Sequence, residues 1–208
     1  MSEKGNSYHH GDLRNRLIAI GVEILASDGL ATLSLRKVSR QAGVSHAAAY
    51  RHFANKEALL AAIAKEGFRK LTAQLKRFTT EFSGEPRHRL LGSGQLYTQF
   101  ALEHPHHLQV MFGDLTHELY PALNLASQDA FMELVGVVET CQNDGDVVEE
   151  DAELIALSLW AMFHGLAVIM IADKLPSVLL KRKPQEKIAQ EAIEKLYEGL
   201  AKKSRVVK

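Results

Sequence analysis

Residues 33–60 read LSLRKVSRQAGVSHAAAYRHFANKEALL, two short helical runs set on either side of one glycine. Leu35, Val38 and Ala42 fall on one stripe at helical spacing. Ser34 stands where an N-cap belongs. Gly43 follows the stripe, where a tight turn needs a residue that tolerates a positive φ. Ser45 then caps a second run, 46–53, whose outward face offers His46, Ala47, Tyr50 and Arg51. Two helices joined by such a turn form a helix-turn-helix, whose second helix is shaped to lie in the major groove of DNA.

The rest of the chain is patterned for helices as well. Leu13, Leu17, Ile20 and Ile24 give a first helix over 12–27, closed by Gly29. A fourth helix runs over 55–80 until Ser-Gly-Glu-Pro breaks it at 83–86. Further helices are expected over 87–104, 107–112, 121–143, 150–173 and 185–203. A small turn is expected near 116–119, and a loop or short turn between Pro176 and Pro184. No strand pattern appears. The expected class is all-α with about nine helices: a helix-turn-helix domain over 1–55 and a helical bundle over 56–208.

Composition limits the function. Formal net charge is zero, which alone argues against a nucleic-acid binder. The charge is unevenly placed, however: residues 1–56 hold eight Lys/Arg against four Asp/Glu, and residues 57–208 hold seventeen against twenty-one. A basic module on an acidic body fits a protein that meets DNA at one end. The one cysteine, Cys141, permits no internal disulfide and suits a reducing cytoplasm. The opening MSEKGNSYHHGD lacks a signal-peptide core. The apolar stretch 154–172 is interrupted by Ser158, His164 and Gly165, so it reads as a buried bundle helix rather than a membrane span.

The tail of the motif narrows the choice. Tyr50, Arg51, His52 and Phe53 run into Asn55, Lys56, Glu57, Ala58 and Leu59. This string resembles the DNA-binding domain of TetR-family transcriptional regulators, in which a YxHFxxKexLL pattern ends the motif and opens the fourth helix. The resemblance covers residues 8–66. It implies a sequence-specific DNA-binding regulator, a ligand-released repressor that acts as a homodimer on a palindromic operator of double-stranded DNA. It implies that Arg36, His46, Ala47 and Ala48 face the bases. Arg36 suits a bidentate contact to guanine, and the alanines suit thymine methyls. Tyr50, His52 and Lys56 suit phosphates, which position without reading sequence; Ser34, Ser45 and Arg51 complete the expected interface.

The YHHGDLR opening at 8–14 and the residues Trp160, His164 and Gly165 resemble a TetR subgroup with a Trp-His-Gly C-terminal domain. We expect 8–14 to be a solvated arm. Trp160 and His164 share a helical face, and Gly165 permits close approach of a neighbouring helix. Tyr97, Phe100, Met111, Phe112, Phe131, Trp160 and His164 are the candidate lining of a pocket for a small apolar effector, with Tyr97 and His164 as polar partners. The helices over 150–173 and 185–203, the latter striped by Ile188, Ala192, Leu196 and Leu200, are the candidate dimer seam. His104, His106, His107 and His117 have the wrong spacing for one helical face, and no metal or other cofactor is expected. No phosphate loop or nucleophile motif appears, so no enzyme is expected. The competing class is a small-molecule-binding or scaffold protein whose helix-turn-helix is structural only.

Overall fold

Capping and proline decide where the helices of this chain begin. The computed structural model describes residues 6–81, 84–115 and 119–201, with side chains from Leu13 onward. The elements are α1 (Asn6–Asp28), a 3-10 turn (Leu30–Thr32), α2 (Leu35–Gln41), α3 (His46–Tyr50), α4 (Lys56–Glu81), α5 (Pro86–Glu103), α6 (Pro105–Met111), α7 (Pro121–Asn143), α8 (Ala152–Ile171), α9 (Ser177–Leu180) and α10 (Gln185–Leu200). Pro86 opens α5 at its first turn, where its missing N–H costs nothing. Asp151 opens α8, its carboxylate accepting from the backbone N–H of Glu153 at 2.9 Å and Leu154 at 3.1 Å.

Two expectations at the edges change. The backbone of the supposed arm is helical, because α1 starts at Asn6 rather than at 12. Gly11 and Asp12 are weak helix formers but neither breaks a helix. The segment between Pro176 and Pro184 contains the four-residue α9, which makes ten helices rather than nine among the described residues. Most of the turn expected near 116–119, and His117 with it, lies outside the described residues. No strand occurs among the described residues; an isolated antiparallel bridge joins Val147 to Ala201.

The chain divides into two compact units. The first comprises Met1–Phe68 and His106–Ala126. Its core gathers Leu17, Ile24, Leu33, Val38, Ala49, Phe53, Leu59 and Ile63. Gly21 lets α1 approach α4 closely: a Cβ there would stand 2.9 Å from Ile63 Cδ1. Met111 seats against Gly67, and the rings of Phe68 and Phe112 meet edge-on at 5.5 Å.

The second unit comprises Arg69–Pro105 and Ser127–Lys208, with α5 packed on both α8 and α10. Gly92 and Gly94 make that packing possible. A Cβ at Gly92 would fall 2.1 Å from Phe78 Cζ, and one at Gly94 2.5 Å from Phe163 Cε1. On α8 the residues Ile155, Leu159, Phe163, Ala167 and Met170 are buried at helical spacing. The opposite face, with Leu154, Leu157, Ala161, Val168 and Ile169, is exposed in the single chain. Instead of being covered all round, then, α8 is buried on one side. By length and composition it is apolar enough to cross a membrane, but its buried stripe against α5 and α10 is that of a core helix. The inward stripe of α10 is Ile188, Ala189, Ile193 and Tyr197, while Ala192, Leu196 and Leu200 are left half-buried beside it.

Candidate nucleic-acid interface

The helix-turn-helix is assembled from local rules. The Ser34 hydroxyl accepts from the Lys37 N–H at 3.2 Å and starts α2. Ser39, fully buried, donates back to the Leu35 carbonyl at 2.6 Å. Gly43 takes φ +67°, and the Val44 N–H returns to the Ser39 carbonyl at 3.1 Å. The Ser45 hydroxyl accepts from the Ala48 N–H at 3.2 Å and starts α3. This helix ends at Tyr50, sooner than the expected 53; the chain turns there to bury Phe53. The Asn55 side chain accepts from the Ala58 N–H at 2.8 Å and launches α4.

That framework sorts the candidate residues. His46, Ala47, Tyr50 and Arg51 are exposed on one α3 surface, Tyr50 at 55 %. Ala48 departs from the outward set. It is 8 % exposed and packs inward beside Ala49, because three consecutive helical residues cannot share one face. Ser34 and Ser45 hold helix termini, and His52 is half-buried. The Lys56 ammonium donates to the Leu30 carbonyl at 2.7 Å, which ties the start of α4 to the turn after α1.

The other cations divide the same way. Lys37 pairs with Asp28 at 2.6 Å and reaches the Thr32 hydroxyl at 3.3 Å; this pairing holds the Asp28 carboxyl below its ordinary range. Arg14 lies over the Phe53 ring at 5.1 Å. Arg36 and Arg40 remain exposed, and with Val44, Ser45 and His46 they line a depression of about 500 Å³. Arg40 was not among the residues expected from sequence. Its i,i+4 spacing from Arg36 was the available signal.

The candidate effector residues are divided between the two units. Met111 and Phe112 belong to the packing of the first unit. Phe100 is buried in the second unit with its ring 5.0 Å from that of His104. Tyr97, Phe131, Trp160 and His164 do come together. The Tyr97 hydroxyl lies 2.8 Å from His164 Nδ1 and is also hydrogen-bonded by Trp160. The Phe131 ring meets Trp160 edge-on at 6.4 Å. An indole N–H can only donate, so the Tyr97 oxygen accepts from Trp160. Burial pushes the Tyr97 phenol up from its ordinary value, the Trp160 hydrogen bond opposing it, and burial holds the His164 imidazole below its own. A Cβ on Gly165 would meet nothing within 4 Å, so the close helix approach expected there is not made among the described residues. Of the histidine group, His107 is buried 3.9 Å from Glu66, and the described residues contain no group of three or more potential metal ligands.

Comparison with known proteins now bears on this geometry. Residues 90–196 match the family described as tetracyclin repressor-like, C-terminal domain, and residues 17–63 match bacterial regulatory proteins of the tetR family. The chain belongs to the TetR family. A solved structure of a protein with unknown function from Rhodococcus sp. RHA1 is 34 % identical, with 95 % of this chain and 100 % of that one covered at a TM-score of 0.80. A tetR-family regulatory protein from Rhodococcus RHA1 is 20 % identical over 90 % of this chain and 96 % of its own, at 0.69. The ketosteroid transcriptional regulator KstR2 of Mycobacterium tuberculosis is 17 % identical over 97 % and 99 %, at 0.64. These last two share the fold. No curated protein matches the chain. As a TetR-family member this protein is a DNA-binding transcriptional regulator, which sets aside the scaffold reading and points away from enzyme activity.

Proposed function

We propose that this TetR-family regulator is a cytoplasmic homodimeric repressor, released from a palindromic operator by a small, mostly apolar effector. The observation that carries the reading is the α3 surface, where His46, Ala47, Tyr50 and Arg51 stand exposed beside Arg36 while the residues between them are buried. Residues 1–55 contact DNA, and residues 56–208 pair and take the effector. Arg36, His46 and Ala47 face base edges; Tyr50, Arg51, His52 and Lys56 face the sugar-phosphate backbone. A two-fold dimer presents its two α3 helices about one turn of DNA, roughly 34 Å, apart or at a multiple of that distance.

The outer face of α8, with the half-buried Ala192, Leu196 and Leu200 of α10, supports a four-helix seam between two copies. Small residues at Ala161 and Gly165 leave room for a partner helix there. The Trp160–Tyr97–His164 set supports an effector with one or two hydrogen-bonding groups on an apolar frame. Effector and operator must then weaken each other's binding by the same factor. The test is to follow Trp160 fluorescence and operator affinity together while titrating candidate apolar compounds. A compound that saturates the protein yet leaves operator affinity unchanged removes the release mechanism. Absence of binding to any duplex at low salt removes the DNA assignment.

A further inference from the structure

Arg36 and Arg40 sit one helical turn apart on the exposed side of α2, a spacing at which like charges repel. Among the described residues neither guanidinium has an ion-pair partner. The cations around them are already engaged: Lys37 by Asp28, Lys56 by the Leu30 carbonyl, Arg14 by the Phe53 ring. Two unpaired guanidinium groups and the His46 imidazole therefore rim one depression of about 500 Å³, with Val44 and Ser45 in its wall. Among the described residues nothing opposes that concentration of positive charge.

We infer that Arg40 is a positioning residue for DNA, clamping a phosphate of the strand that borders the half-site, next to the bases faced by Arg36 and His46. The inference rests on α3 being the recognition helix. In a helix-turn-helix the first helix crosses the sugar-phosphate backbone while the start of the second meets base edges. Arg40 lies in the last turn of that first helix, ahead of the turn leading to His46. Its side chain thus belongs to the part of the motif that passes the backbone. A guanidinium fork matches phosphate oxygens bidentately, and the contact adds affinity without reading sequence.

The test starts with the wild-type protein selecting sites from a library of randomised duplexes. Affinity for the selected duplex and for a scrambled one is then measured across about 50 to 200 mM salt. Arg40→Ala is expected to weaken both by the same factor and to make the log–log salt slope less steep by about 0.9. Arg40→Lys is expected to restore the slope, because a phosphate accepts a point charge. Arg36→Ala is expected to narrow the ratio between selected and scrambled duplexes. An unchanged slope in Arg40→Ala overturns the inference. So does a loss of preference at one base pair in Arg40→Lys, which would make Arg40 a bidentate base reader. Wild-type protein that selects no duplex would remove the recognition-helix reading, and the inference with it; the Arg40 outcomes alone leave that reading standing.

Discussion

Tyr97→Phe removes one oxygen atom and is expected to cost about 2 kcal/mol. Tyr97 is 5 % exposed, and its hydroxyl serves two neighbours, His164 Nδ1 at 2.8 Å and Trp160. The ring itself stays, so its packing against Phe163, 6.5 Å between centroids, is retained. The loss is then two hydrogen bonds, each worth about 0.5 to 1.5 kcal/mol net. Trp160 and His164 are only half-buried, so water can reach part of what is left unpaired, which sets each bond near the middle of that range. The assay is urea unfolding at one fixed protein concentration, since pairing makes apparent stability depend on concentration. The midpoint should fall with an unchanged slope. In a double-mutant cycle with His164→Ala the two losses should fall short of additivity by about 1 kcal/mol. A Tyr97→Phe variant within about 0.5 kcal/mol of wild type, or strict additivity with His164→Ala, would refute the shared-hydroxyl argument.

The same cluster predicts a pH dependence. Burial lowers the folded-state pKa of His164, so the unfolded chain binds more protons in the interval between the folded value and the ordinary one. Stability should fall as pH drops through about 6.5 toward the lower folded value, and His164→Gln should flatten that part of the curve; an unaltered curve would show that His164 does not titrate this way. Lys56→Ala should reduce the salt slope of DNA binding by about 0.9 on every sequence. It should also cost about 0.5 kcal/mol of stability through the lost Leu30 contact, and a variant altered in sequence preference instead would reverse its role. Ala161→Glu, on the exposed face of α8, should sediment as a monomer that keeps its helical circular dichroism; a dimer would put the seam elsewhere. Gly92→Val should destabilise by about 1 to 3 kcal/mol as Phe78 is displaced, and a variant as stable as wild type would show that Phe78 swings aside freely.

What was legible in the sequence follows the range of the forces involved. Ser34, Gly43, Ser45 and Pro86 act on neighbours a few residues away, and each sits where the local rule puts it. The all-α class follows from periodicity in the same way. The α1 start failed because Gly11 and Asp12 disfavour a helix without ending it. The α10 stripe at 192, 196 and 200 has a neighbour at 193 and 197 of equal apolar content, and only tertiary packing chooses which turns inward. Tyr97 and His164 were recognisable as candidates, but their contact spans 67 positions and no periodicity encodes it. Arg40 was missed because exposure and lack of a partner are properties of a folded surface. The open side of α8 was unreadable for a related reason: hydropathy reports that a face is apolar and says nothing about what lies against it.

The division of labour within α2 and α3 has a consequence for how such a regulator can diversify. Leu35, Val38, Ala42, Ala49 and Phe53 hold the motif shut, and Gly43 with its left-handed φ holds the corner. His46, Ala47, Tyr50 and Arg51 contribute little to that closure, because their side chains lie in solvent. Substitutions at such exposed positions usually change stability by no more than about 0.5 kcal/mol. Under the proposed contacts the base-facing pair, His46 and Ala47, can therefore drift, and a duplicated copy of the gene can acquire a new address on the chromosome without first passing through an unfolded intermediate. Ala48, one position along, has no such freedom: a larger side chain there would push into the packed interior before it could touch a base. On that proposal, the letters that α3 offers to descendants of this protein are set by which side of a five-residue helix each falls on.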